Sequence, residues 1–395
     1  MRCALTISAL LLTTWLTPGC AELEYDNKAA VFDRPYEPIN DSLGNIWLKT
    51  CYLYPVRDYL IFSWAGRALA GDEAWDVGPD GQVADGPFFV NRDIRGIPGD
   101  QLRVGPPAAA PPAGPWQVKK AKEKGATPGF IGEDAGGRTF LVKLDDPAYP
   151  ELGTSAEMIG SRIYWLMGYR VPTTYLTRID GTGDARYDGK RATASAFVPG
   201  KAVGEFKFDC YRMRREVRAL RLVAAWLNDT DRTDNNTLVA VEDGRAFCYL
   251  VDFNSCLGSW NGHPKEAWRG WRYTWDVEYQ LLGAATLGLL PALPRTVPVK
   301  SPAVGSFELL TEGNARAWRS QNPNTAFDRM TQADAEWMAR RMAAVTIDQL
   351  RAVVASAEFT DPVDGEAVLE MLQRRRERLL EAWRRGGLLE DVAGG

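Results

Sequence analysis

The feature that most restricts the fold of this chain is a change of hydrophobic period between residues 116 and 168. From Trp116 the sequence runs WQVKKAK, EKGATPG, FIGE, DAGGR and TFLVKLD, three short stretches of strand character separated by two glycine-containing turns. Strands joined in this way predict an antiparallel meander, with Lys143 projecting from the third. The next stretch, TSAEMIGSRIYWLMG, spaces Ala156, Ile159, Ile163 and Leu166 by three and four residues and stops at Gly168. That is the pattern of an amphipathic helix. RATASAFVPG predicts a further strand and turn. YRMRREVRALRLVAAWLND predicts a second helix with Val217, Leu220, Ala224 and Leu227 on one face, and TLVAV, EDGR and AFCYLVDF predict a hairpin that ends at Asp252. The C-terminal third has helical spacing in DAEWMARRMAAV, IDQLRAVVASA and GEAVLEMLQRRRERLLEAWRR, where Arg374 to Arg376 are expected on a solvated helix face. The expected fold class is α+β, with strands gathered early and helices late.

Between the second helix and the hairpin lies NDTDRTDNN, residues 228–236, with three Asp and three Asn. Short oxygen-bearing side chains bond to their own backbone and tolerate left-handed conformations, so the stretch predicts a turn. The same side chains are the hard oxygen ligands that Mg²⁺ prefers, and one of them can serve as a catalytic carboxylate. Both readings stand at this point. Thr154 and Glu157 pose a similar choice, because T-x-x-E is a capping box that would hold the carboxylate at the helix start.

The amino terminus predicts export. Arg2 precedes ALTISALLLTTWL, too short to span a bilayer but suited to a signal-peptide core, and LTPGC then places Gly19 before Cys20. Residues 1–19 are expected to be a signal peptide of the lipoprotein type and Cys20 a lipidation site, which anchors the chain to a bacterial cell envelope. In an oxidising compartment Cys51, Cys210, Cys248 and Cys256 allow two disulfides in three pairings. His263 is the one histidine, so a His-rich zinc site is excluded, and a His-dependent triad would have to use that residue. The net charge of -4 gives no electrostatic footprint for nucleic acid. Fourteen Trp point to large aromatic anchors in the core or a binding groove.

Four regions follow: the leader, an irregular extension with a Pro/Ala-rich connector over 20–115, a β-rich unit over 116–205, and a mainly helical unit with the Asp/Asn loop over 206–395. Within the extension, YLIFSWAGRALAG is expected to form a short helix, and GPPAAAPPAGP an extended segment.

The order strand, glycine turn, strand, strand with Lys143, helix with Glu157, strand, helix, Asp/Asn loop, hairpin and Asp252 resembles the protein-kinase-like fold. The likeness is to its atypical branches, the HipA, phosphoinositide-kinase and secreted-kinase types. DRTDNN is similar to the DRHxxN loop of those branches and YLVDFNSCLG to their DFG strand end, with Thr233 and Asn254 as departures. The chain also resembles a group of uncharacterised bacterial lipoproteins through FFVNRD, TPGFIGEDAGGRTFLVKLD and LVDFNSCLGS. The resemblance implies a bilobal fold with a small β-rich N-lobe and a mainly helical C-lobe. It also implies a phosphotransferase using ATP and Mg²⁺. On that pattern Lys143 holds phosphate oxygens, Glu157 positions Lys143, and glycines at 125, 129 and 132 let backbone N–H groups approach the phosphates. Asn236 and Asp252 hold the metal, and Asp231 faces the acceptor hydroxyl, with Asp229 and Asp234 as alternative carboxylates. The expected partners are a nucleotide, a protein or envelope-glycan acceptor, and the membrane through the lipid. A degenerate binding or scaffold lipoprotein and a hydrolase with paired carboxylates are the competing classes.

Overall fold

A computed structural model describes residues 36–37, 73–107, 110–122, 127–274, 276–286, 301–307, 310 and 312–384. The leader, Cys20, Cys51, YLIFSWAGRALAG and Gly125 lie outside the described residues. Among those described, no helix is long and apolar enough to cross a membrane.

The predicted meander forms from β1 (Gln117–Ala121), β2 (Gly129–Glu133) and β3 (Thr139–Leu144). It continues into β4 (Thr174–Arg178) and β5 (Arg191–Ala196), giving a five-stranded antiparallel sheet in the order β1-β2-β3-β5-β4. Successive residues of a strand face opposite sides. Phe140, Val142 and Leu144 therefore turn to one face, where Trp116, Phe130, Tyr175 and Tyr187 close a small apolar cluster. Leu141 and Lys143 turn to the other, toward the rest of the molecule. Gly129 sits opposite Lys143 in the register, and a Cβ there would stand 2.0 Å from the Val142 carbonyl oxygen, so the hairpin itself requires a glycine.

The helix α2 (Leu152–Met167) is buried along all 16 residues, not on one stripe. Its outer side is covered by the segment that precedes the sheet. Phe88, Phe89, Ile94 and Leu102, the last from α1 (Gly99–Val104), belong to the same core as Ile159, Ile163 and Leu166. Arg162 ties the two together by donating to the carbonyls of Arg103 and Val104, and Arg92 donates to Trp165. The Pro/Ala-rich connector then runs against the β2–β3 turn, where Arg138 donates to the carbonyls of Ala110 and Pro111.

A second sheet, β6 (Lys201–Phe206), β7 (Thr237–Glu242) and β8 (Arg245–Leu250), contains the predicted hairpin, and Tyr36–Glu37 pairs with β6. Behind it stands α3 (Arg215–Leu227), whose last turn is closed by Asn228 in the left-handed conformation, φ 50°. The Asp/Asn stretch therefore begins as a helix C-cap. The remaining helices are α4 (Val277–Ala285), α5 (Glu312–Ala317), α6 (Thr325–Asp328), α7 (Gln332–Ala343), α8 (Ile347–Ala355) and α9 (Pro362–Ala382). Capping boxes start α7 at Thr331/Asp334 and α8 at Thr346/Gln349.

Three expectations are corrected. Cys248 and Cys256 are free, buried thiols, so they form no bridge; Cys210 is disulfide-bonded. Thr154 and Glu157 form no capping box, because the helix starts at Leu152 and Thr154 donates to Asp145 instead. Arg375 is not solvated but 1% exposed, donating to the carbonyls of Trp226 and Ala225 at the end of α3. Arg374 and Arg376 flank it, one paired with Glu370 and the other donating to Val345.

The result is an α+β, bilobal, protein-kinase-like fold: a small lobe built on the first sheet, a mainly helical large lobe, and α2 bridging them. The topology carries that description, with a meander, an inserted helix, two returning strands and then the hairpin and helices.

Candidate functional site

The open face of the first sheet and the edge of the second enclose a cleft of about 450 Å³. Ile131, Leu141, Ala202, Leu238 and Val251 give it apolar walls, and Lys143, Glu157 and Asp252 line its polar end. Phe197, 60% exposed, stands at its mouth on the turn after β5.

Lys143 organises the polar end. Its Nζ lies 3.0 Å from Glu157 Oε2 and 2.9 Å from Asp252 Oδ1. Burial opposes the ammonium charge, but the two carboxylates outweigh it and hold the pKa above the ordinary lysine value. Glu157 is pushed up by burial against the pull of Lys143, and its Oε2 also accepts from the Phe253 amide at 3.0 Å. Helix, sheet and hairpin strand thus meet on one carboxylate. They can meet because Gly160 brings α2 close: a Cβ there would be 2.8 Å from Cys256 Sγ and 3.0 Å from Phe253 Cβ.

Asp252 adopts a left-handed conformation, φ 58°, which aims its side chain back toward Lys143. It is held charged: burial raises its pKa, while Lys143 and then Lys122 lower it, with a net shift downward. Its Oδ1 is engaged by the Lys143 ammonium, and an ionised carboxylate has further lone pairs on its two oxygens with which to meet a cation. A carboxylate and the nearby Asn236 amide oxygen are hard donors of the kind Mg²⁺ takes alongside phosphate oxygens and water. The residues present therefore fit that ion. Asn236 is positioned by its own amide, which donates to the Asp231 carbonyl at 2.6 Å, and by the Val251 amide, which donates to its carbonyl.

The three carboxylates of the loop have different environments. Asp229 is fully buried, accepting from Tyr164 at 2.8 Å and from Arg232 Nε at 2.9 Å. Arg232 in turn donates to the carbonyls of Asn236, Val251 and Asp252, which makes it the fastener of the loop to the strand end. Asp234 opens a short 3-10 turn and ties it to the chain after β6 by accepting from the Phe208 amide. Both alternatives to Asp231 are thus engaged structurally. Asp231 accepts from the Gln321 side-chain amide, and burial, then Asp252 and Asp229, push its pKa up to about 7.

Gly132 and Gly129 both lie within β2, and Gly125 is outside the described residues. Several residues in or near the cleft take positions that sequence reasoning does not assign. Lys122, drawn down to about 8 by burial and by Lys143, donates to the Thr127 carbonyl at the start of β2's approach. Asn254 donates to Thr127 Oγ1. Gln321 is ninety residues from its partner and had no local signal. Phe197 and Val198, apolar residues in a turn before Pro199 and Gly200, were the detectable ones. His263 stands away from the cleft, 52% exposed, beside Asp146 and the Tyr149 ring. A second cavity, about 480 Å³, opens on the outer side by Asp145, Arg178 and Glu358; there Arg191 spends its donors on Thr154, Ser155 and the carbonyls of Ala357 and Glu358.

No protein-family model matches the sequence, and no curated protein matches it. Among solved structures it is similar to a Helicobacter pylori proinflammatory kinase, CtkA, at 12% identity over 67% of this chain and 92% of that one, TM-score 0.41. It is also similar to HipA of a Shewanella oneidensis MR-1 toxin–antitoxin system, at 10% identity over 90% and 85%, TM-score 0.35. The Golgi casein kinase matches at 12% identity over 94% and 97%, TM-score 0.30. The kinase-like fold is carried by the sheet topology, not by these overall superpositions.

Proposed function

We propose that the chain is a kinase-like phosphotransferase that uses a Mg²⁺-bound nucleotide, ATP in the first instance, and is held at a bacterial cell envelope by lipid on Cys20. The observation that carries this reading is the double engagement of Lys143 by Glu157 and Asp252 at the end of an apolar cleft. Phosphoryl transfer asks little of a protein beyond positioning and charge neutralisation. Leu141, Ala202, Leu238 and Val251 would enclose a nucleobase. Lys143, fixed by Glu157, would hold phosphate oxygens, and Asn236 with Asp252 would hold the ion. Mg²⁺, when bound, supplies charge neutralisation across the phosphate oxygens.

Asp231 would take the proton of an acceptor hydroxyl. The hydroxyl oxygen bonds to the terminal phosphorus, and the bond from that phosphorus to the bridging oxygen breaks, the electron pair leaving with the nucleoside diphosphate. A pKa of about 7 suits a base working near neutrality. The acceptor is a protein or an envelope glycan on this reading. A second reading, a kinase-shaped binding protein without transfer, has one observation in its favour: Gln321 already occupies an oxygen of Asp231.

The test is calorimetry of Mg²⁺-ATP on the chain beginning at residue 21, with Lys143→Met and Asp252→Ala beside it. Saturable binding lost in both variants supports the site. Heat that is absent, or equal in all three proteins, overturns it.

A further inference from the structure

The segment after Asp252 carries two guanidinium groups whose donors are mostly unspent. Arg269 has a side chain 9% exposed, yet among the described residues one ion pair, to Glu266 Oε2 at 3.0 Å, is its sole polar engagement, and Nε and Nη1 are buried there without a hydrogen-bond partner. Its guanidinium lies 3.4 Å from the centroid of the Trp260 ring and 4.4 Å from that of Trp268. Arg272 lies over the same Trp268 at 5.2 Å and over Tyr279 at 4.9 Å, and its Nε is also buried without a partner. Unpaired donors on buried cations are costly, and a native fold rarely keeps them for packing alone.

Their position is fixed against the proposed base by a short chain of contacts. The Gly270 carbonyl accepts from the Arg319 amide at 3.0 Å. Two residues on, the Gln321 amide donates to the Thr230 carbonyl at 2.7 Å, and the Gln321 side chain donates to Asp231. Arg269 thus stands beside the strip of backbone that holds Asp231. Burial pushes the Arg269 guanidinium down to about 10, opposed by the charges of Glu266 and Asp231.

Glu266 is the informative partner. Its side chain is 57% exposed, so it reaches in from solvent to a cation three residues away. An exposed carboxylate on a buried, aromatic-stacked arginine occupies the place that an incoming anion would take.

We infer that Arg269, flanked by Trp268 and Arg272, is the anchor for an anionic group on the acceptor, and that the Glu266 carboxylate is displaced when that group docks. The ligand chemistry is an oxyanion with at least two acceptor oxygens, a phosphate monoester or a carboxylate. The role as acceptor anchor rests on the phosphotransferase reading, whereas the anion site itself does not.

The test uses inorganic phosphate as probe, titrated without nucleotide into the full chain and followed by thermal shift and tryptophan fluorescence, with acetate in parallel. Glu266→Gln, a change at an exposed side chain, is expected to tighten phosphate by about fivefold, since the competing carboxylate is gone. Arg269→Met is expected to weaken it by about tenfold or more, the loss of a charge-assisted contact, and Arg269→Lys to recover only part. The phosphate-to-acetate ratio in Glu266→Gln then separates the two sources of the oxyanion. Equal phosphate affinity in wild type and Glu266→Gln overturns the inference even if Arg269→Met fails to fold. So does phosphate binding that responds to Lys143→Met and not to Arg269→Met, which places the anion in the nucleotide cleft. Failure of ATP to bind, with the Glu266 and Arg269 effects intact, overturns the kinase reading and leaves the anion site standing.

Discussion

The side-chain amide of Asn254 donates to the hydroxyl of Thr127, and both residues are buried. The contact joins the turn after Asp252 to the chain entering β2, so one side chain links the large lobe to the roof of the cleft. It occurs where the DFG-like strand end departs from glycine. Replacing Asn254 with Gly removes the link and adds backbone freedom. The variant is expected to lose about 1–2 kcal/mol of stability, the scale of one buried hydrogen bond with its orphaned partner. Its β1–β2 hairpin amides should exchange faster with solvent. Urea denaturation and amide hydrogen exchange check both, and unchanged exchange in β1–β2 would sink the idea.

Lys143→Met leaves Glu157 buried with no counter-charge. Its already raised pKa rises further, so the folded variant holds a proton that the unfolded chain releases near the ordinary glutamate value. The stability of Lys143→Met is therefore expected to improve as pH falls from 8 toward 6, by about 1 kcal/mol or more relative to wild type. Denaturant midpoints at the two pH values measure it, and parallel pH trends in the two proteins would count against it.

Asp231 titrates at about 7 when folded, against 3.8 for an ordinary aspartate. Between these values the folded chain binds a proton that the unfolded chain has lost. Its contribution to stability thus declines as pH climbs toward 7 and is fully unfavourable above that. Asp231→Asn is expected to be more stable than wild type at pH 8 by about 1–3 kcal/mol, and to lose that advantage near pH 4. If Asp231 is the base, any transfer activity rises through pH 7 in wild type and is absent in the variant.

Arg375 and Arg374 are neighbours with opposite expectations. Arg375 is buried and supplies donors to two carbonyls at the end of α3, whereas Arg374 forms an exposed pair with Glu370. Arg375→Met should destabilise by about 2–4 kcal/mol through two unsatisfied carbonyls, and Arg374→Ala by less than about 0.5 kcal/mol. Similar losses from both would refute this assignment.

Cys248 and Cys256 are free, buried thiols, and burial pushes the pKa of each up. Neither is expected to react with iodoacetamide in the native protein at pH 8, and both should react in urea. Mass spectrometry of the labelled peptides decides the matter.

The meander, the two long helices and the hairpin were legible because each has a strong period and a glycine or turn signal at its ends. TYLTR and KAVGEF were not: at five and six residues each is too short for its period to separate strand from loop, and pairing with β5 and β7 is what holds them as strands. The order of Lys143, Glu157, Asp231, Asn236 and Asp252 was visible because they lie on or beside the strongly marked elements. Gln321 and Arg269 were invisible, and Asn254 showed only as a departure from the DFG pattern, because each acts through a partner fixed by tertiary packing rather than by spacing. Period alone also mistook α2 for a half-exposed helix, since it cannot report the segment 73–104 that covers the far side.

That coverage limits how the protein is controlled. A helix embedded on every side cannot swing outward without breaking the core that contains Phe89, Ile94 and Leu102, so the pairing of Glu157 with Lys143 is a permanent fixture of the folded chain. Many two-lobed catalysts are turned on and off by moving the corresponding helix. In this chain the packing around α2 closes that route. On the phosphotransferase reading, on–off control then falls to the supply of acceptor or nucleotide, or to the segment that bears Arg269.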